Sequence, residues 1–229
     1  MVAYFPDIEE DLEEAAEDEE EGEYEEWLRQ NQTFDSINEN YDNEPSIPAA
    51  YDGDFSDYSA LELSKNEVES LKELHALSKE NGCEYAQILY EDKCTEIFTS
   101  NEYNCVEVSA WKDKINIDGL TIFHSHTNKT PLSGGDFSQF CDTRVNKIGN
   151  IAANGDTYVV EIGDGYRPTK DEFIEVLKEI VAEVDQDIAK MYYEQGLTIG
   201  ETNYMAIKEQ GYRIARAFGW TYMGGRIDE

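Results

Sequence analysis

The sequence predicts an α/β fold: a mixed β-sheet flanked by helices, with an acidic disordered extension before it and a helical pair after it. Three observations carry this. Short β-rich runs, such as residues 83–90 (CEYAQILY) and 157–162 (TYVVEI), alternate with amphipathic stretches. Patterns of the S/T-x-x-E type stand just ahead of the apolar stripes, where helix starts belong. The acidic charge is crowded at one end of the chain.

Composition sets the bounds. A chain of 229 residues that is 40% hydrophobic can bury a core without disulfides. The net charge is −33. Residues 1–60 hold 21 acids and one arginine, and residues 61–229 hold 30 acids against 17 lysines and arginines. The expected organisation is an acidic, largely disordered region 1–60, a sheet domain 61–166 and a helical region 167–229 packed on it. Phosphate neutralisation needs Lys and Arg, so nucleic acid and anionic membrane are not expected partners. A basic protein partner for the acidic tail is. The first residues lack a basic and then apolar leader, and no apolar run reaches membrane-span length. Cys83, Cys94, Cys105 and Cys141 form no CxxC pair, so they read as reduced thiols and the chain as cytoplasmic.

The elements follow in order. The block 7–26 is dense in acids and free of Lys and Arg, which resists core formation. Within it and just beyond, Glu23-Tyr-Glu-Glu-Trp27-Leu28 has the form of a short docking helix or of solvated tail. Residues 31–60 read as irregular. Order is expected from Leu61. Ser64 and Glu67 make a capping box, and Val68, Leu71, Leu74 and Leu77 make the stripe behind it. Asn81-Gly82 stops that helix, and His75 lies off the stripe, as a surface histidine would. Residues 83–90 predict a strand, 95–99 (TEIFT) a return hairpin strand, 105–109 (CVEVS) a third strand and 120–124 its continuation. A helix starts near Asp136, residues 148–153 are ambiguous, and 157–162 are a strand. Thr169/Glu172 and Thr198/Glu201 start two long helices, the second stopping at Gly219. Tyr192, Tyr193, Tyr204, Tyr212, Trp220 and Tyr222 are expected to cover the sheet, or else to line a groove.

The chemistry lies in residues 121–136, TIFHSHTNKTPLSGGD. Side chains at i and i+2 of a strand share a face. His124 and His126 therefore leave the sheet together, and Asp136 returns a carboxylate after a short loop. Two histidines, one carboxylate and a position left for water are the layout of a catalytic zinc site.

The pattern His124-x-His126-x6-Ser133-x2-Asp136 resembles the JAMM (MPN+, or JAB-domain) metallopeptidases, and Pro131-Leu132-Ser133 resembles the loop of some bacterial and phage members. The resemblance covers residues 84–136 and extends more loosely from the Leu61 helix to the Tyr158 strand. It implies a cytidine-deaminase-like sheet and one zinc ion per chain on His124, His126 and Asp136. It also implies an upstream Glu as general base and acid, and Ser133 as oxyanion support. Two departures stand out. Thr127 replaces the usual Pro, and the loop to Ser133 is one residue shorter than the commonest spacing.

Five upstream carboxylates compete for the role of base. Glu91 and Glu102 fall in turns, and Glu107 faces away from Val106 and Val108. Glu84 shares a face with Ala86, Ile88 and Tyr90, where an unpaired carboxylate is costly unless a metal or partner is beside it. Its place in the first strand also fits the family pattern. Glu84 is the choice, with Glu96 next.

The expected function is zinc-dependent hydrolysis of a peptide or isopeptide bond in a protein or peptide substrate, a ubiquitin-like conjugate among the options. The alternatives are an inactive JAMM-like scaffold and an acidic mimic acting through its tail. Ser133-x-x-Asp136 is also a plain helix-capping pattern. A nucleobase deaminase is excluded, because its His-x-Glu and Pro-Cys-x-x-Cys ligands are missing. A cysteine nucleophile at Cys141 lacks a further histidine nearby in sequence.

Overall fold

The computed structural model describes residues 55–91, 93–103, 105–195 and 197–227, without the side chains of residues 192–195 and 199. The acidic block 7–26, the run 23–28 and the stretch 31–54 lie outside the described residues, as do the side chains of Tyr192 and Tyr193.

Helix α1 (Lys65–Asn81) begins where the capping box requires. Ser64 Oγ accepts from Glu67 N, the Glu67 carboxylate accepts from Ser64 N at 2.7 Å, and Gly82 closes the helix in the left-handed region. Strands β1 (Ala86–Tyr90) and β2 (Lys93–Cys94) make a tight hairpin. A short helix, α2 (Ser109–Lys112), precedes β3 (Leu120–Ser125). Next come α3 (Gly134–Ser138), a 3₁₀ turn (Gln139–Cys141), β4 (Val145–Ile151) and β5 (Asp156–Glu161). Helices α4 (Lys170–Gln195) and α5 (Ile199–Phe218) lead to β6 (Thr221–Arg226).

The described strands form one mixed sheet in the order β2-β1-β3-β4-β5-β6. Only β3 and β4 run parallel. The coarse α/β class expected from the sequence is therefore present. Among the described residues, no helix is long and apolar enough to cross a membrane.

Strand alternation sorts the two faces. Phe123, Val159 and Met223 pack with Leu71 and Leu74 of α1. On the other face, Phe137 of α3 meets Tyr222 edge-on, Tyr158 of β5 meets the Tyr204 hydroxyl of α5 at 3.2 Å, and Phe218 of α5 stacks on Trp220. Tyr204, Trp220 and Tyr222 are buried there, as covering residues should be. His124 belongs to this second face.

Four expectations need correction. First, residues 105–108 form no strand. Glu107 is engaged locally instead: its N–H donates to Ser100 Oγ at 2.8 Å, and its side-chain Oε1 accepts from Ser109 N at 2.9 Å. Second, the return hairpin is carried by Lys93–Cys94, and residues 95–98 touch β1 through Thr95 N to Ile88 O and an isolated bridge at Phe98. Third, the chain continues past Gly219 into β6, which extends the sheet beside β5, so 167–229 is not helical throughout. Fourth, packing starts before Leu61. Phe55 and Tyr58 lie against Tyr158, and Ser59 pairs in parallel with Met223, covering the β6 edge. Gly224 permits this, since a Cβ there would stand 2.7 Å from Phe55.

Candidate metal centre

β3 carries His124, and His126 follows one residue past its end. The strand pairs antiparallel with β1 and parallel with β4, so its C-terminal end opens beside that of β4. Crevices at the carboxyl ends of parallel strands are the usual ligand sites of open α/β sheets. The chain then turns through Thr127–Leu132, and α3 brings back Asp136.

The three side chains converge. His124 Nε2 lies 3.1 Å from Asp136 Oδ1, His126 Nε2 lies 3.8 Å from Asp136 Oδ2, and the two Nε2 atoms are 2.9 Å apart. One ligand atom from each falls within 4.8 Å of the others. Both histidines are buried. Ligands at about 2.0–2.1 Å from a tetrahedral zinc stand roughly 3.3 Å from one another. The three side chains are close enough for one atom of each to share a metal ion.

The electrostatics point the same way. Burial opposes a charge on His124, but Asp136 beside it, with Glu84 and a hydrogen bond to the Gly149 backbone, outweighs burial and raises its pKa. Burial and the neighbouring His124 charge push His126 down to about 4. Burial alone would raise Asp136, yet the two histidines hold it well below the usual carboxylate range.

The sequence pattern Ser-x-x-Asp is a real capping box. Ser133 N and Ser133 Oγ donate to Asp136 Oδ2 at 2.7 and 2.9 Å, and Asp136 N reaches back to Ser133 Oγ. Oδ2 is held by the cap, which leaves Oδ1 facing His124. The cap at Ser133 and the orientation of the Asp136 carboxylate are therefore one arrangement.

Glu84 sits just before β1. Ala86 pairs with His124, and Ser125 N donates to Tyr85 O at 2.9 Å, which places Glu84 across from His126 on the same face. Its N–H donates to Glu102 O at 3.1 Å, and its carbonyl accepts from Thr99 Oγ1 at 2.6 Å. Glu84 is 6% exposed, whereas Glu91, Glu96, Glu102 and Glu107 are exposed. Of the five competitors, Glu84 alone is in the interior, and its charge bears on His124.

His75 stands apart from the group, with Nε2 3.2 Å from Ala153 O. Two residues at the site were not singled out from sequence. Thr130 O lies 2.9 Å from His126 Nδ1, and Asn150 Nδ2 lies 2.7 Å from the same atom. The one signal for Asn150 was a polar residue inside the run Ile148–Ile151; the parallel pairing that sets it beside His124 is a tertiary fact.

No family model, curated protein or solved structure matches this chain.

Proposed function

We propose that this chain is a zinc-dependent amide hydrolase of the JAMM type, acting on a peptide or isopeptide bond in the cytoplasm. The observation that carries the reading is the buried His124–His126–Asp136 group with a buried carboxylate, Glu84, on the same face. The helix-flanked mixed sheet, with Glu84 entering the strand antiparallel to the His-x-His strand, supports it.

His124 Nε2, His126 Nε2 and Asp136 Oδ1 would hold the ion. The bound zinc would supply Lewis acidity, acidifying a water and polarising the amide carbonyl. Glu84 takes the proton of the attacking water and delivers it to the leaving amine. The Ser133 hydroxyl, now donating to Asp136 Oδ2, turns its proton toward the developing oxyanion. The substrate is a protein or peptide, with ubiquitin-like conjugates among those to try.

The test is a screen of wild type and Glu84→Gln on linear and isopeptide-linked substrates, with zinc content measured on both. Cleavage by wild type, and its loss by a factor of about 10²–10⁴ in Glu84→Gln at unchanged zinc, supports the reading. Full activity in Glu84→Gln removes Glu84 as the base. Bound zinc without any cleavage makes the chain a metal-holding scaffold.

A further inference from the structure

Glu84 is held differently from the histidines it faces. His124 lies inside the β-ladder, paired with Ala86 and Asn150. Glu84 lies between the Gly82 cap of α1 and the first residue of β1, outside the ladder. A backbone there must find its hydrogen bonds elsewhere. The segment 99–103 supplies both. Thr99 Oγ1 donates to Glu84 O at 2.6 Å, and Glu84 N donates to Glu102 O at 3.1 Å. Asn101 makes the turn between them, with a φ of 60° and its N–H donating to Thr99 Oγ1 at 2.9 Å.

The same segment is tied to the end of the histidine strand. Thr127, next to His126 in the chain, donates from Oγ1 to Tyr103 O at 2.8 Å. On the other side of Glu84, Ser125 N donates to Tyr85 O at 2.9 Å, and Tyr85 N donates to Ser125 Oγ at 3.0 Å. These bonds close a ring. One arm runs from Glu84 to His126 through Tyr85 and Ser125, and the other returns through Thr127, Tyr103 and Glu102. The first arm continues the pairing of β1 with β3. The second crosses a loop, and the Thr127 hydroxyl closes it. Thr127 is half-buried, so its side chain can be trimmed without opening the core.

We propose that Thr127 is a positioning residue: its hydroxyl, by holding Tyr103 O, fixes the 99–103 turn and through it the backbone of Glu84 opposite His126. The inference rests on the hydrolase reading, in which Glu84 is the base, and extends it to a residue outside the ligand set and the reacting groups. The strength of one neutral hydrogen bond bounds the effect. Its loss should favour opening of the turn by about 2–10-fold.

The test compares the full-length wild type, Thr127→Val and Thr127→Ser. Val keeps the shape and removes the donor, and Ser keeps the donor. Hydrogen exchange of the Glu84 amide is followed by NMR, with the Ser125 amide as the internal comparison, and this readout needs neither metal nor substrate. In Thr127→Val the Glu84 amide should exchange about 2–10-fold faster while Ser125 keeps the wild-type rate, and Thr127→Ser should restore Glu84. On a substrate that wild type cleaves, kcat should fall in Thr127→Val by a similar factor at unchanged KM and zinc content, and recover in Thr127→Ser. A purely structural role would speed both amides together. Unchanged Glu84 exchange in Thr127→Val overturns the proposal and leaves the hydrolase reading standing, as does faster exchange with kcat unchanged. An inactive wild type overturns the hydrolase reading, and the exchange rates then decide by themselves whether Thr127 holds Glu84.

Discussion

Ser133 donates twice to one oxygen of Asp136, from its backbone N–H at 2.7 Å and from its hydroxyl at 2.9 Å. The cap of α3 therefore aims the Asp136 carboxylate at His124. Ser133→Ala removes the hydroxyl but keeps the backbone donor. Loss of the cap should lower stability by about 1 kcal/mol, visible in a denaturant melt. Zinc should be retained, since Oδ2 keeps one anchor. If the hydroxyl also supports the oxyanion, turnover should fall by about 10²–10³ at unchanged zinc. Turnover equal to wild type would leave Ser133 a cap alone.

His124 in β3, His126 just after it and Asp136 in α3 form the candidate ligand group among the described residues. His124→Ala, His126→Ala and Asp136→Ala should each take zinc from about one per chain to none, measured by elemental analysis of protein purified without chelators. His75→Ala, with its ring on the Ala153 carbonyl, should leave zinc unchanged. Wild type free of metal under these conditions removes the centre from consideration.

Zinc binding should be linked to pH through His124. The metal-free ring has a pKa raised above its ordinary 6.5 against burial, by Asp136 and then by Glu84 and the Gly149 backbone. Below that raised value an incoming ion must displace a proton. Affinity should therefore climb as pH rises and level off above it, with close to one proton released per ion by calorimetry in two buffers. Below about pH 4, His126 protonates too, and the slope should steepen. The metal-free fold has the opposite trend. The His124–Asp136 contribution is fully present below the unfolded pKa near 6.5 and is lost as pH rises through the folded one. A zinc affinity flat from pH 5 to 8 would contradict the arrangement.

Cys141 offers a check away from the centre. Burial pushes its thiol up to about 11, against the opposing pull of Lys170, Lys112 and Arg167. The thiolate is the reactive form, so alkylation at neutral pH should be slow and should quicken about tenfold per pH unit up to that value. Peptide mapping after timed labelling reads this directly, with the exposed Cys94 as the internal comparison. Rapid labelling of Cys141 at neutral pH would show that this thiol is not held as described.

The parts of the site legible in the sequence were local ones. His-x-His on one face follows from strand geometry, and Ser133-x-x-Asp136 is a cap wherever it occurs at a helix start. Glu84 was legible because a carboxylate among Ala86 and Ile88 conflicts with burial unless something compensates. The parts that failed depended on partners distant in sequence. The CVEVS run alternates like a strand, but Ser100 and Ser109 engage the backbone and side chain of Glu107. The β6 run carries Gly224 and Gly225, which weaken any strand signal, and Gly224 is needed because Phe55 crosses there. Asn150 acquires its place from the β3–β4 register, which no local pattern encodes.

Gly149 is where packing and chemistry meet most tightly. It sits in β4 between Phe123 of β3 and Val159 of β5. A Cβ there would lie 2.8 Å from both Phe123 Cε1 and Val159 Cγ2. Both contacts are inside van der Waals range, and both neighbours belong to the core against α1. Gly149→Ala must push β3 or β5 aside and should cost about 1–3 kcal/mol. The denaturant midpoint should drop with little change in slope. The Gly149 backbone also bonds His124, so the same shift should move that ring and weaken zinc binding. Adding Val159→Ala relieves one of the two clashes and should recover part of the zinc affinity, even though it removes core volume. If Gly149→Ala melts and binds zinc as wild type does, the sheet has room at this point, and the metal centre is not braced by the packing beneath it.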